Sequence, residues 1–333
     1  MRMKVFLVVG ARPNVMKIAP IYRLMRAAPD AFEPIILHTG QHYDEKMSKV
    51  FFEDLELPRP DIYLDVGSGS HAQQTAEIMK RFEPELLQHR PDMVVVVGDV
   101  NSTIACALTT SKCRVKSESL AAFRQQLQRY VESASVDADL QPGHIRRTYS
   151  EEAPLIAHVE AGERSFDFSM PEEINRVTTD VLSDILFAAS GDSEKHLLDE
   201  GADPRRVFHV GNIMIDALQS YMDKAASSAI TETLGLSGKQ YALVTLHRPA
   251  NVDGPRTFGN IIAGLIEISN DLPVIFPMHP RTRQMLDQLD GDIRNRLDSS
   301  CVQIIEPVGY IDFLGLQKNA ALVLTDSGGV QVE

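Results

Sequence analysis

Short β-branched runs separated by amphipathic helical stretches are what most restrict this chain. Val5 to Val9, Ile35 to Thr39, Met93 to Val97, Leu155 to Val159, Ile185 to Ala188 and Val207 to Val210 are nearly continuous in apolar residues. Strands that read apolar on both faces are buried on both, as parallel strands are when crossover helices cover them. Between them, Ala72 to Leu87 carries Ile78, Phe82 and Leu86 at the spacing of one helix face. After Gly211 and Asn212 the pattern restarts with Tyr241 to Leu246, Pro273 to Phe276, Val302 to Ile305 and Leu322 to Leu324. The expected fold is α/β, with two Rossmann-like domains whose parallel sheets face a cleft, over residues 1–211 and 212–333. At 333 residues the chain has length for both, since a domain takes about 100 to 200.

One stretch breaks the rhythm. A single helix should join the strand ending near Asp99 to the one starting at Leu155, but residues 113–152 intervene and read as an insertion. Within it Leu120, Phe123, Leu127, Tyr130 and Val131 recur at helical spacing before a polar stretch from Asp137 to His144. This segment is either a surface helix with a trailing tail or a lid or subunit contact.

A hydrophobic share of 44% supports buried sheets, while a formal charge of -13 excludes general affinity for nucleic acid or an anionic membrane. An anionic ligand must then be held by local Arg and Lys side chains and by helix N-termini. Cys106, Cys113 and Cys301 form no CxxC pair, which argues against a disulfide framework or zinc site and fits a reducing cytoplasm. No apolar run reaches the roughly 18 residues of a membrane span. Met1 to Val9 leads into Gly10-Ala11-Arg12-Pro13 where a leader would need small residues for cleavage, so it reads as the first strand.

Chemistry-bearing residues gather where strands end. His158 to Arg176 reads HVEAGERSFDFSMPEEINR, a loop after Leu155-Ile156-Ala157 that holds Glu160, Glu172 and Glu173. Carboxylates at a strand end suit proton transfer, whereas Glu173 also suits the first helical turn, where negative charge complements the macrodipole. GARPNVMK places Arg12 and Lys17 around a helix start that suits an anion. In GDVNST, Ser102 or Asn101 is placed to cap the next helix, and Asp99 is either a cap or a base. His247 and His279 follow equivalent strands, as ligand contacts or hydrogen-bonded structural groups; neither has metal-ligand spacing, and no metal is expected. Ser327-Gly328-Gly329 opens a helix whose bare amides suit a diphosphate, or forms an ordinary capped turn.

Taken in order, GARPNVMK, TGQHYDEKM, GDVNST, HVEAGERSFDFSMPEEINR, GNIMIDAL, TLHRPANVD, HPRTR, EPVGYIDFL and TDSGGVQ resemble the non-hydrolysing UDP-N-acetylglucosamine 2-epimerases. The resemblance implies a glycosyltransferase-B-like architecture and reversible conversion of UDP-GlcNAc to UDP-ManNAc without a cofactor. It also implies a cytoplasmic homodimer serving polysaccharide synthesis. UDP would leave C1 as the C2 proton is removed, giving a 2-acetamidoglucal, and would add back after protonation on the opposite face. By resemblance Asp99, Glu160 and Glu172 are catalytic carboxylates, and His247 steadies the departing diphosphate. Arg12 and Lys17 hold phosphate and sugar, Ser327, Gly328 and Gly329 form the diphosphate loop, Phe313 packs near uracil, and Glu333 grips the ribose hydroxyls. Gln41, Arg248 and His279 resemble contacts to a second, allosteric UDP-GlcNAc.

Some positions depart from the family pattern. Val332 and Ala250 stand where glutamates are usual, and Glu163 where leucine usually follows HVEAG. The family continues beyond the position of Glu333 with a long helix and a terminal helix crossing back to the first domain, so the second domain is expected to be incomplete. Two alternatives remain beside an epimerase: a glycosyltransferase of the same architecture, and a catalytically silent protein that binds a UDP-sugar.

Overall fold

The computed structural model describes residues 2–40, 52–115 and 153–332. Most of the expected insertion (116–152) lies outside the described residues, as do Gln41, Glu333 and the side chain of Arg12. The chain divides into two compact units, Met1–Ala217 and Leu218–Glu333.

The first unit is built from β1 (Met3–Val9), α1 (Arg12–Ala27), β2 (Phe32–His38), β3 (Ile62–Tyr63), α2 (His71–His89), β4 (Met93–Val97), α3 (Asn101–Lys112), β5 (Leu155–Ala161), α4 (Pro171–Leu182), β6 (Ile185–Ala188), α5 (Gly191–Asp199) and β7 (Val207–His209). Its parallel sheet runs β3-β2-β1-β4-β5-β6-β7. The central strand β4 is buried along its whole length, which is why its sequence is Met followed by four valines. Strand β3, two residues pairing with the end of β2, is too short to leave a pattern in the sequence and was not anticipated.

Helix α2 shows how the local sequence fits the packing. Ser70 accepts from the Gln73 amide while Gln73 Oε1 accepts from Ser70 N, a reciprocal cap. Ile78, Phe82 and Leu86 are fully buried, and the Phe82 ring tilts against Phe6 of β1 at 6.3 Å between centroids. Each such side chain contributes about 1.5–3 kcal/mol on leaving water. On the sheet a cavity of about 460 Å³ is lined by Met25, Phe32, Val95, Phe187 and Phe208, with Glu160 in its wall.

The second unit contains β8 (Ala242–Thr245), β9 (Val274–Pro277), β10 (Val302–Ile305) and β11 (Leu322–Thr325) in a parallel sheet ordered β10-β9-β8-β11. The helix Pro255–Ile268, with Pro255 at its start, buries Phe258, Ile262 and Leu265 against Val274 and Phe276. Tyr241 is fully buried, and its hydroxyl donates to the Leu316 carbonyl at 2.5 Å. Among the described residues no helix is long and apolar enough to cross a membrane.

Candidate functional site

The acidic residues do not share one loop. Glu160 belongs to β5, whose sheet pairing runs on to Ala161, and Glu172 and Glu173 belong to the first turn of α4. The apolar run that suggested an earlier strand end stops at Val159, but a bulge lets the strand continue. Val159 pairs with Phe187 and Ala161 with Ala188, leaving Glu160 as the extra residue with φ +67°. That irregularity turns the Glu160 side chain toward Lys17 of α1, whose ammonium it binds; both side chains are about 15% exposed or less.

Gly98 lies beneath this pair. Its φ is +66°, and a Cβ there would stand 3.5 Å from Lys17 Nζ and 3.7 Å from Glu160 Oε2. The turn is fixed from both sides: Asn14 Nδ2 donates to the Val97 carbonyl at 3.0 Å, and His158 Nε2 lies 2.8 Å from the Gly98 carbonyl. Asn14 Oδ1 also accepts the Gly10 and Ala11 amides, which holds the β1–α1 corner of GARPNVMK.

Asp99 follows directly and is not a helix cap. Its carboxylate binds the guanidinium of Arg176 on α4, and Asn175 Nδ2 donates to its carbonyl at 2.8 Å. Neither Asn101 nor Ser102 caps α3, since the cap position is Val100. Asn101 instead bonds His71 and Gln74, and the Ser102 hydroxyl bonds Thr39 at 2.8 Å beneath Gly10. Their polar atoms serve tertiary contacts because both residues are buried against neighbouring elements.

Glu173 does more than complement a helix dipole. It is fully buried and accepts from the Ser165 amide at 2.9 Å, the Ser165 hydroxyl at 3.0 Å, the Phe166 amide at 2.9 Å and Arg176 Nη1 at 2.9 Å. Burial alone would raise its pKa, but these four donors outweigh it and hold the carboxyl down to about 2. Glu172 is half-buried on the same turn. Nearby, buried Asp180 meets His158 Nδ1 at 2.6 Å and Arg164 at 2.8 Å and accepts the Gly162 amide. Burial disfavours its charge, but His158 and Arg164 overcome this and lower its pKa.

In the second unit Asp326 directly follows β11 and gathers the turn after the neighbouring strand β8. It accepts the amides of His247 and Arg248 at 3.1 and 3.0 Å and Asn251 Nδ2 at 2.9 Å, and it pairs with His247 Nδ1 at 2.7 Å. Burial opposes the Asp326 charge, yet these donors lower its pKa. The His247 side chain is 61% exposed, with Nδ1 taken by Asp326. His279 stands two residues beyond β9, as His247 does beyond β8. Ser327, Gly328 and Gly329 follow Asp326 and start the short helix Gly328–Val332. A Cβ at Gly328 would meet nothing within 4 Å, so packing is not what keeps that backbone bare. Phe313, on the helix Tyr310–Asn319, packs against the core that contains Tyr241, Leu243 and Leu316.

Sequence reasoning named Asp99, Glu160, Lys17 and His247 but missed the groups that hold them. Arg176 had a visible signal, one helical turn after Glu173. His158 and Asp326 had none, because their partners are distant in sequence, and Asn14's reach to the Val97 carbonyl, 83 residues away, left none either.

A family model for UDP-N-acetylglucosamine 2-epimerase matches residues 25–118 and 152–333. A UDP-N-acetylglucosamine 2-epimerase homolog of Methanococcus maripaludis is 42% identical over 99% of this chain and 80% of its own length. The UDP-2,3-diacetamido-2,3-dideoxy-D-glucuronate 2-epimerase of Pseudomonas aeruginosa is 36% identical with the same coverage. The crystal structure of the Methanocaldococcus jannaschii UDP-GlcNAc 2-epimerase in complex with UDP-GlcNAc and UDP superposes with a TM-score of 0.74 at 38% identity, over 99% of this chain and 80% of that one. The two parallel sheets are those of a glycosyltransferase-B-like α/β protein. With most of its length matched by the family model, the chain belongs to the UDP-N-acetylglucosamine 2-epimerase family.

Proposed function

We propose that this chain interconverts UDP-GlcNAc and UDP-ManNAc by eliminating UDP and adding it back. The observation that carries this is the pair of carboxylates at the ends of adjacent strands, Asp99 after β4 and Glu160 on β5, each held by a different cation. Inversion at C2 needs a base on one face of the sugar and an acid on the other. Two carboxylates carried by different strands and held by different partners suit that division, because each can approach C2 from its own side.

In the forward direction one carboxylate takes the C2 proton, the C1–O bond to UDP breaks, and a C1–C2 double bond forms. UDP leaves with the bonding pair. A proton then reaches C2 from the opposite face while UDP attacks C1, restoring the bond with inverted C2. We assign Asp99, Glu160 and Glu172 to these proton transfers. Lys17 and Arg12 would hold sugar and phosphate, His247 would stabilise the leaving diphosphate through Nε2, and the Ser327–Gly329 amides would bind its oxygens as charge develops. Phe313 and Glu333 are assigned to uracil and ribose. A second UDP-GlcNAc bound by Gln41, Arg248 and His279, a homodimeric assembly and a cytoplasmic setting complete the proposal.

The test is turnover in deuterated water followed by proton NMR at C2, with UDP-GlcNAc and, because of the 36% relative's name, UDP-2,3-diacetamido-2,3-dideoxy-D-glucuronate as parallel substrates. Loss of the C2 proton signal with appearance of the UDP-ManNAc anomeric signal is expected. Folded protein that gives neither exchange nor product from UDP-GlcNAc would exclude it.

A further inference from the structure

We propose that Glu173 is a positioning residue that sets Asp99 for proton transfer through Arg176, an inference that rests on the epimerase reaction assigned above. The Arg176 guanidinium is divided between two carboxylates: Nη1 donates to Glu173 at 2.9 Å, and Nη2 donates to Asp99 Oδ2. Asn175, on the same helix, holds the Asp99 carbonyl. Helix α4 therefore fixes both the main chain and the side chain of Asp99.

A guanidinium is a planar fork that favours a two-pronged grip on one carboxylate. Such a grip would tie up both oxygens of Asp99 and place the full cationic charge against it, leaving a poor base. Glu173 blocks a grip through the Nη1–Nη2 edge by occupying Nη1, and Arg176 Nε makes no hydrogen bond to Asp99 among the described residues. It can compete because it is buried, anionic, and anchored by the Ser165 and Phe166 amides independently of substrate. As a result Asp99 Oδ1 accepts no hydrogen bond among the described residues, so one oxygen stays open to a substrate proton. The same carboxylate closes the loop after β5, where it fixes Phe166 at φ +59°.

The experiment compares two variants by kcat, KM and the isotope effect with 2-deuterated UDP-GlcNAc. Glu173→Gln keeps the shape but turns a donor toward groups that need an acceptor. Its kcat is expected to fall by about ten- to a hundredfold, part of what a general base supplies. KM should stay within about threefold, and the isotope effect on kcat should rise as proton transfer becomes limiting. Ser165→Ala removes only the loop-side hydroxyl, so its kcat should stay within about twofold.

Native kcat in folded Glu173→Gln would overturn the proposal, as would an equal loss in Ser165→Ala, which would make the loop responsible. Should Glu173→Gln fail to fold, Arg176→Lys replaces it. A lysine cannot divide a planar fork between two carboxylates, so kcat should fall with KM kept, and an unchanged kcat would overturn the proposal. Native protein that exchanges C2 while the variants match it sinks this inference alone; native protein that does not exchange sinks the assigned reaction and this inference with it.

Discussion

His158, in the middle of β5, donates through Nε2 to the main-chain carbonyl of Gly98 at 2.8 Å, joining the strand that carries Glu160 to the turn that carries Asp99. A carbonyl can only accept, so Nε2 holds a hydrogen and Nδ1 is left to Asp180 at 2.6 Å. Replacing His158 with leucine leaves the Gly98 carbonyl and part of the buried Asp180 charge without a partner. The expected loss is about 2–4 kcal/mol, the scale for leaving buried hydrogen-bonding groups without partners, read from urea unfolding. A variant within about 1 kcal/mol of native would show that the imidazole is replaceable packing.

The buried carboxylates make acid stability a second test. Glu173 and Asp180 both have folded pKa values below the ordinary carboxylate range, Glu173 at about 2. Such groups add stability above the unfolded pKa and lose it as pH falls through the folded one. Glu173→Gln should therefore cost a few kcal/mol at neutral pH, and the gap to native should narrow between about pH 4.5 and pH 2. Melting temperatures of both proteins across that range check this, and a gap independent of pH would show that the charge is not what stabilises.

Gly162 has φ +80°, and a Cβ there would fall 2.1 Å from the Ser193 carbonyl oxygen. Gly162→Ala should destabilise by more than about 3 kcal/mol, combining left-handed strain with a backbone clash. Gly191→Ala, where a Cβ meets nothing within 4 Å, is the control and should stay within about 0.5 kcal/mol. Chemical denaturation of the two side by side decides it.

Asp326→Asn retains size but presents an amide to the His247 and Arg248 N–H groups and to the His247 ring. The turn after β8 should loosen, and calorimetry should show UDP binding weakened about tenfold, the cost of one charge-assisted hydrogen bond. Unchanged UDP affinity would remove the turn from the diphosphate site.

The alternation of apolar runs and helical spacings made both parallel sheets legible, because burial on two faces leaves an unmistakable run in strands such as β4. Lys17 could be read from its place just after a strand-turn-helix corner. The placement of Glu160 could not, since a bulge depends on how two strands register with each other and nothing in HVEAG reveals it. The same holds for Asn101 and Ser102, whose composition suits a cap but whose neighbours His71, Gln74 and Thr39 come from other elements. Glu173 looked like a first-turn acid because its anchors, the Ser165 and Phe166 amides, belong to a turn that only the folded loop forms.

The positive φ at Glu160 bears on how this protein can change over time. A left-handed backbone disfavours a residue with a bulky side chain and is tolerated best by glycine or asparagine. Drift guided by thermal robustness alone would therefore move position 160 away from glutamate. On the proton-transfer role proposed for Glu160, glutamate at this position among copies of this gene would mark selection for turnover, and glycine or asparagine there a lineage that has kept the fold without that role.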